Sequence, residues 1–223
     1  ADLPPPMGLD QEPVRTALIP PGGSSPLGML GFVDAALEMA EQYASMGEKA
    51  PEVIYVASGT MGTCVGLALG LAAAGLATRV EAVRVTVAPY TSREHARALF
   101  RSANDLLRAY SADFPEYPFP EERFHIRDDF FGEEYALYTP ASAEAVRCAR
   151  ENFGLVLEGT YTGKAFAALI HDQAAGRLEG ERVLFWNTHN SRDLTAFTEG
   201  VDYQKLPPML HGYFESPVQP LDQ

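Results

Sequence analysis

Apolar positions along the chain gather into short continuous runs, each followed by a stretch at helical spacing. Val53-Ile54-Tyr55-Val56-Ala57 is a β-branched run. Ser58-Gly59-Thr60-Met61-Gly62-Thr63 breaks it, and Cys64 to Ala74 resumes at helical spacing with small residues. The same order stands upstream, where Val14 to Ile19 predicts a strand, residues 20–26 a turn, and about Gly28 to Met46 a helix. Val80 to Val87 predicts a third strand and Ser92 to Tyr110 a third helix. Leu155-Val156-Leu157 and Val183-Leu184-Phe185-Trp186 predict further buried strands, with helices at Ser142 to Asn152 and Gly163 to Ala175 between them. Continuously apolar strands, each followed by a helix, predict an α/β fold: an open, mainly parallel sheet with helices on both faces.

Two regions depart from this rhythm. Residues 1–13 are proline-rich and predict a linker or arm, leaving 14–206 as the main domain and a proline-punctuated tail at 207–223. Residues 113–134, with three prolines and six aromatic side chains, hold no steady period and predict an irregular surface insertion.

Charge and composition narrow the partners. The 223 residues carry 30 acidic and 17 basic side chains, a net charge of −13, so the surface repels a phosphate backbone and nucleic acid is not an expected partner. No apolar stretch reaches the roughly 18–20 residues of a membrane span, and the first residues lack the basic and apolar regions of a leader. Cys64 and Cys148 stand alone, which fits reduced thiols in the cytoplasm. The five histidines are scattered without a ligand pair at helical spacing, so no metal site is expected.

The glycine turns carry the chemistry. A turn such as Ser58 to Thr63, between a buried strand and a helix N-terminus, presents backbone N–H groups beside the positive end of the helix and can cradle an anion. It is neither GxGxxG nor GxxxxGK[ST], and a tight structural turn without a ligand reads equally well. Gly22-Gly23-Ser24-Ser25-Pro26-Leu27-Gly28 and Thr160-Tyr161-Thr162-Gly163-Lys164 follow strands in the same way. Three such loops would converge at one edge of an open parallel sheet, where ligands of α/β proteins bind.

Taken in order, Pro21 to Gly28, Ala57 to Thr63 with Gly66-Leu67-Ala68, and Tyr161-Thr162-Gly163-Lys164-Ala165 resemble the D-cysteine desulfhydrase and 1-aminocyclopropane-1-carboxylate (ACC) deaminase family. These are fold-type-II enzymes of the tryptophan synthase β superfamily that depend on pyridoxal 5′-phosphate. The resemblance runs from about Thr16 to Ser191. It implies that Ser58, Gly59, Thr60, Met61, Gly62 and Thr63 hold the cofactor phosphate, that Thr162 bonds the pyridine nitrogen, and that Thr188 faces the ring. A neutral hydroxyl at Thr162 would leave that nitrogen largely unprotonated. Tyr135 and Tyr161 correspond to the two active-site tyrosines. The chain departs from the family pattern at Glu134-Tyr135-Ala136, where Gly-Tyr-Gly is usual, and at Asn190-Ser191, where a Gly-Gly pair is usual; both changes bear on the substrate.

The resemblance also implies that the Schiff-base lysine lies in an N-terminal portion preceding Ala1, since none of Lys49, Lys164 and Lys205 replaces it. The expected function is thus a cytoplasmic lyase or deaminase acting on a small amino acid. This chain would supply the cofactor-phosphate domain, in a homo- or hetero-oligomer completed by a lysine-bearing segment or subunit. The alternatives are a non-catalytic remnant serving as an interaction protein, or an unrelated nucleotide binder. Arg93, Arg97, Arg101 and Arg108 share a helical face that could meet a carboxylate but reads better as solvated. Asp128-Asp129 reads as a solvated pair, and His189 lies at the expected cofactor edge.

Overall fold

A computed structural model describes residues 18–220. Four strands, β1 (Val53–Ser58), β2 (Arg79–Arg84), β3 (Phe124–Arg127) and β4 (Val183–Trp186), form one sheet in the order β3-β2-β1-β4. Every pairing is parallel. Helix α1 (Leu30–Ser45) precedes β1, and α2 (Gly62–Ala73), α3 (Arg93–Tyr110), α4 (Pro140–Phe153) and α5 (Thr162–Ala174) lie between the strands.

Alternation along β1 divides the core. Ile54 and Val56 enter a cluster with Met29, Val33, Leu67 and Phe100 from α1, α2 and α3, while Val53 and Tyr55 face Ala165 and Ala168 of α5. α4 backs α5 through Val146, Ala149, Phe166 and Ala167. The sheet is thus covered on both faces, as its continuous apolar strands require. The α5 face also buries charge. Asp172 takes hydrogen bonds from the Tyr55 hydroxyl at 2.6 Å, from Arg177 at 2.8 Å and from Arg127, whose guanidinium holds its carboxyl well below the usual range against the cost of burial.

Several sequence expectations change. Residues 14–17 of the first expected strand lie outside the described residues, as does the arm 1–13, and Leu18 and Ile19 are exposed and outside any strand. Leu155-Val156-Leu157 belongs to no strand, with Leu157 alone of the three buried. β2 ends at Arg84 rather than Val87. The insertion 113–134 contains β3, whose polar His125 and Arg127 pair with Glu81 and Asp172. Arg93 and Arg97 grip Glu121, and Arg108 grips Glu116, so three of the four arginines tie this excursion to α3.

Candidate active site

All three glycine turns open on one cavity of about 720 Å³ at the C-terminal ends of β1 and β2. It is lined by Gly22 to Ser24, Ser58 to Cys64, Val85 to Val87, Tyr90, Tyr135, Glu158, Tyr161, Thr162 and Thr188 to Asn190. Each sequence-predicted site residue is thus on its wall. Thr188 and the two tyrosines are solvent-exposed, whereas Ser58, Met61 and Thr162 are buried.

The Ser58–Thr63 turn is fixed from behind. Thr91 donates its hydroxyl to the Gly59 carbonyl at 2.6 Å, and Val85 N–H donates to the Ser58 carbonyl at 3.0 Å. The leading N–H groups of α2 have no carbonyl one turn earlier to accept them. One of them, Gly62 N–H, donates to Ser24 Oγ at 3.1 Å, and Ser24 and Thr60 share a hydroxyl bond of 2.7 Å. A Cβ on Gly62 would stand 2.6 Å from Ser24 Oγ, and one on Gly22 would stand 2.1 Å from Thr60 Oγ1, so both turns need glycine to come together. Met61, the N-cap, has φ +70°, a left-handed conformation costly for a side-chain-bearing residue. Cys64 lies beneath the turn beside Ser58, and burial pushes its thiol up to about 12, so it is inert packing.

The opposite wall is made of side chains. Glu158, which sequence reasoning missed, caps α5: its carboxylate accepts the N–H groups of Thr160 at 2.7 Å, Tyr161 at 2.9 Å and Thr162 at 2.6 Å. It also accepts a hydrogen bond from the Thr162 hydroxyl at 3.0 Å. A carboxylate just before a helical run was the available signal. Tyr135 and Tyr161 join hydroxyl to hydroxyl. Burial, then the Tyr135 hydroxyl, pushes Tyr161 up to about 12, so it carries its proton throughout the neutral range.

None of the three lysines lines the cavity. Lys164 is fully buried and donates to the Phe131 carbonyl at 2.6 Å, Lys49 lies on a cleft at the other end of the sheet, and Lys205 is exposed in the tail. No cluster of side chains suited to a metal ion occurs among the described residues.

Residues 9–189 match the model of the pyridoxal-phosphate dependent enzyme family. The chain belongs to that family. It is 34% identical over 193 residues to the D-cysteine desulfhydrase of Salmonella paratyphi C (strain RKS4594), and 33% to that of Salmonella newport (strain SL254), in each case covering 85% of this chain and 55% of the relative. The crystal structure of an ACC deaminase homologue superposes with a TM-score of 0.59 at 31% identity, covering 75% of this chain and 47% of that one. The chain therefore spans about half the length of the relatives it matches. The family's cofactor is pyridoxal phosphate, and the glycine-built turn at a helix N-terminus has the character its phosphate needs.

Proposed function

We propose that the chain provides the cofactor-phosphate half of a lyase or deaminase acting on a small amino acid such as D-cysteine. The reactive amine would come from a segment or subunit outside residues 18–220. The observation that carries this reading is the pairing of a backbone cradle with two tyrosines around a cavity that no lysine reaches. Similarity to D-cysteine desulfhydrases and to an ACC deaminase homologue supports the substrate class.

Pyridoxal phosphate, when bound, supplies an electron sink for charge developing at a substrate carbon next to its amine. Gly59 to Thr63 bind the phosphate through backbone N–H groups and the Thr60 and Thr63 hydroxyls, with the α2 dipole in place of a cationic side chain. Thr162 is assigned to the pyridine nitrogen, toward which its hydroxyl would turn the one proton that it gives to Glu158 in this structure. Tyr161 and Tyr135 are assigned to the substrate side, where Tyr161, keeping its proton through the neutral range, orients the substrate as a hydrogen-bond donor. Thr188 and His189 close the remaining edge. The reaction belongs in the cytoplasm, in keeping with the free thiols of Cys64 and Cys148, and in an oligomer that brings the amine to the cavity.

Equilibrium dialysis with 4′-deoxypyridoxine 5′-phosphate, which needs no lysine, tests the cradle. The chain should bind it, Gly62→Val should weaken binding by tenfold or more, and the chain alone should release no hydrogen sulfide from D-cysteine. Equal binding by the variant, or turnover by the single chain, would overturn the reading.

A further inference from the structure

The chain continues past β4 and past the stretch that matches the family model. Its last described part folds on itself. Tyr203 stacks on Phe214 with ring centroids 4.9 Å apart, meets His211 edge-on, and donates its hydroxyl to Glu215 at 3.3 Å. Beyond this knot the backbone returns to the cavity rim and places Gln219 against the loop that carries Tyr135.

The contact is two-pointed. Gln219 Oε1 accepts the Tyr138 N–H at 2.8 Å, and Gln219 Nε2 donates to the Ala136 carbonyl at 2.9 Å. One primary amide thus answers a donor and an acceptor on either side of Leu137, as a neighbouring strand would, and only one orientation of the amide satisfies both. The loop needs such a brace. Ala136 has φ +66°, and Met61 and Ala136 are the non-glycine residues with positive φ among the described residues. Left free, alanine leaves this conformation. On the other side, the Tyr138 ring lies against Gly159, where a Cβ would come within 2.7 Å of it, so the loop is pressed between the tail and the turn that carries Tyr161. Tyr135, 46% exposed, has little packing of its own to aim it.

We propose that Gln219 is a positioning residue of the active site: by clamping the backbone at Ala136 and Tyr138 it holds Ala136 left-handed and aims the Tyr135 hydroxyl at Tyr161. This rests on the proposed function only in treating Tyr135 as part of the active site; the clamp itself is tested without turnover.

The test compares the full chain with Gln219→Ala by hydrogen exchange and by NMR of ¹³Cζ-labelled tyrosine, assigned with Tyr161→Phe. Exchange across 132–139 should quicken by tenfold or more while peptides from α1 to α3 stay unchanged. Tyr161, which faces Tyr135 and Glu158, should ionise closer to the ordinary value of about 10 instead of about 12. Gln219→Glu keeps the acceptor for Tyr138 and loses the donor to Ala136, so its exchange should fall between the two. Unchanged exchange at 132–139 and unchanged Tyr161 ionisation in Gln219→Ala would overturn the proposal, as would faster exchange spread evenly over the chain. The clamp signals appearing in a chain that fails to bind 4′-deoxypyridoxine 5′-phosphate would uphold the clamp and count against the functional reading.

Discussion

On the β1–α2 side the cavity wall is main chain, one continuous turn to which Ser24 and Thr91 bond, whereas on the tyrosine side it is held by side chains, from the neighbouring Glu158 to Gln219 in the tail. Ser58 to Thr63 take their form from a strand ending, a helix starting and glycines that admit Ser24 and Thr60. Tyr161 and Thr162 are set by Glu158, and Tyr135 by Gln219, 83 residues beyond Ala136. A wall of the first kind resists loss of any one side chain. A wall of the second kind has a few contacts on which its geometry depends.

The two left-handed residues give the sharpest contrast. Met61 is 2% exposed, so Met61→Gly trades relief of backbone strain for loss of a buried side chain and should cost about 2–4 kcal/mol in urea unfolding. Next in size, Glu158→Ala strips three N–H groups at the start of α5 of their acceptor, and should lower stability by about 2 kcal/mol. A gain in either variant would break the comparison.

Lys164 adds a pH signature to the tyrosine side. Burial holds its ammonium below the ordinary lysine range, so the folded chain binds that proton less tightly than the unfolded chain. The contribution of Lys164 to stability should therefore rise with pH from the lowered value up to about 10.4, against the fall that the raised Cys64 thiol contributes above its ordinary value. Lys164→Met should abolish that rise, measured as unfolding midpoints at pH 7 and pH 10. The smallest effect is expected at Ala136, where glycine removes the strain without losing a packed side chain. Ala136→Gly should stabilise the chain by about 0.5–1 kcal/mol, opposite in sign to the same change at Met61.

The same difference explains what was legible beforehand. The switch from a β-branched run to helical spacing across Ser58 to Thr63 is local, and it placed that turn between a strand and a helix, as the structure has it. β3 escaped because His125 and Arg127 face buried carboxylates, so a half-buried strand carries polar side chains where an apolar pattern would be sought. Leu155 to Leu157 misled in the reverse direction: the apolar triplet belongs to no strand and leads into the Glu158 cap. Gln219 left no trace at all, since a glutamine in a proline-punctuated tail becomes a clamp only through the fold that carries it back to Ala136.

Pyridoxal phosphate at stoichiometric concentration, borohydride reduction and peptide mapping, with and without excess 4′-deoxypyridoxine 5′-phosphate, test the division of labour most directly. The account predicts that the competitor displaces cofactor bound at the cradle while no adduct on Lys49, Lys164 or Lys205 depends on that site. A single adduct on Lys164 that the competitor suppresses would contradict it, because the amine would then lie within this chain.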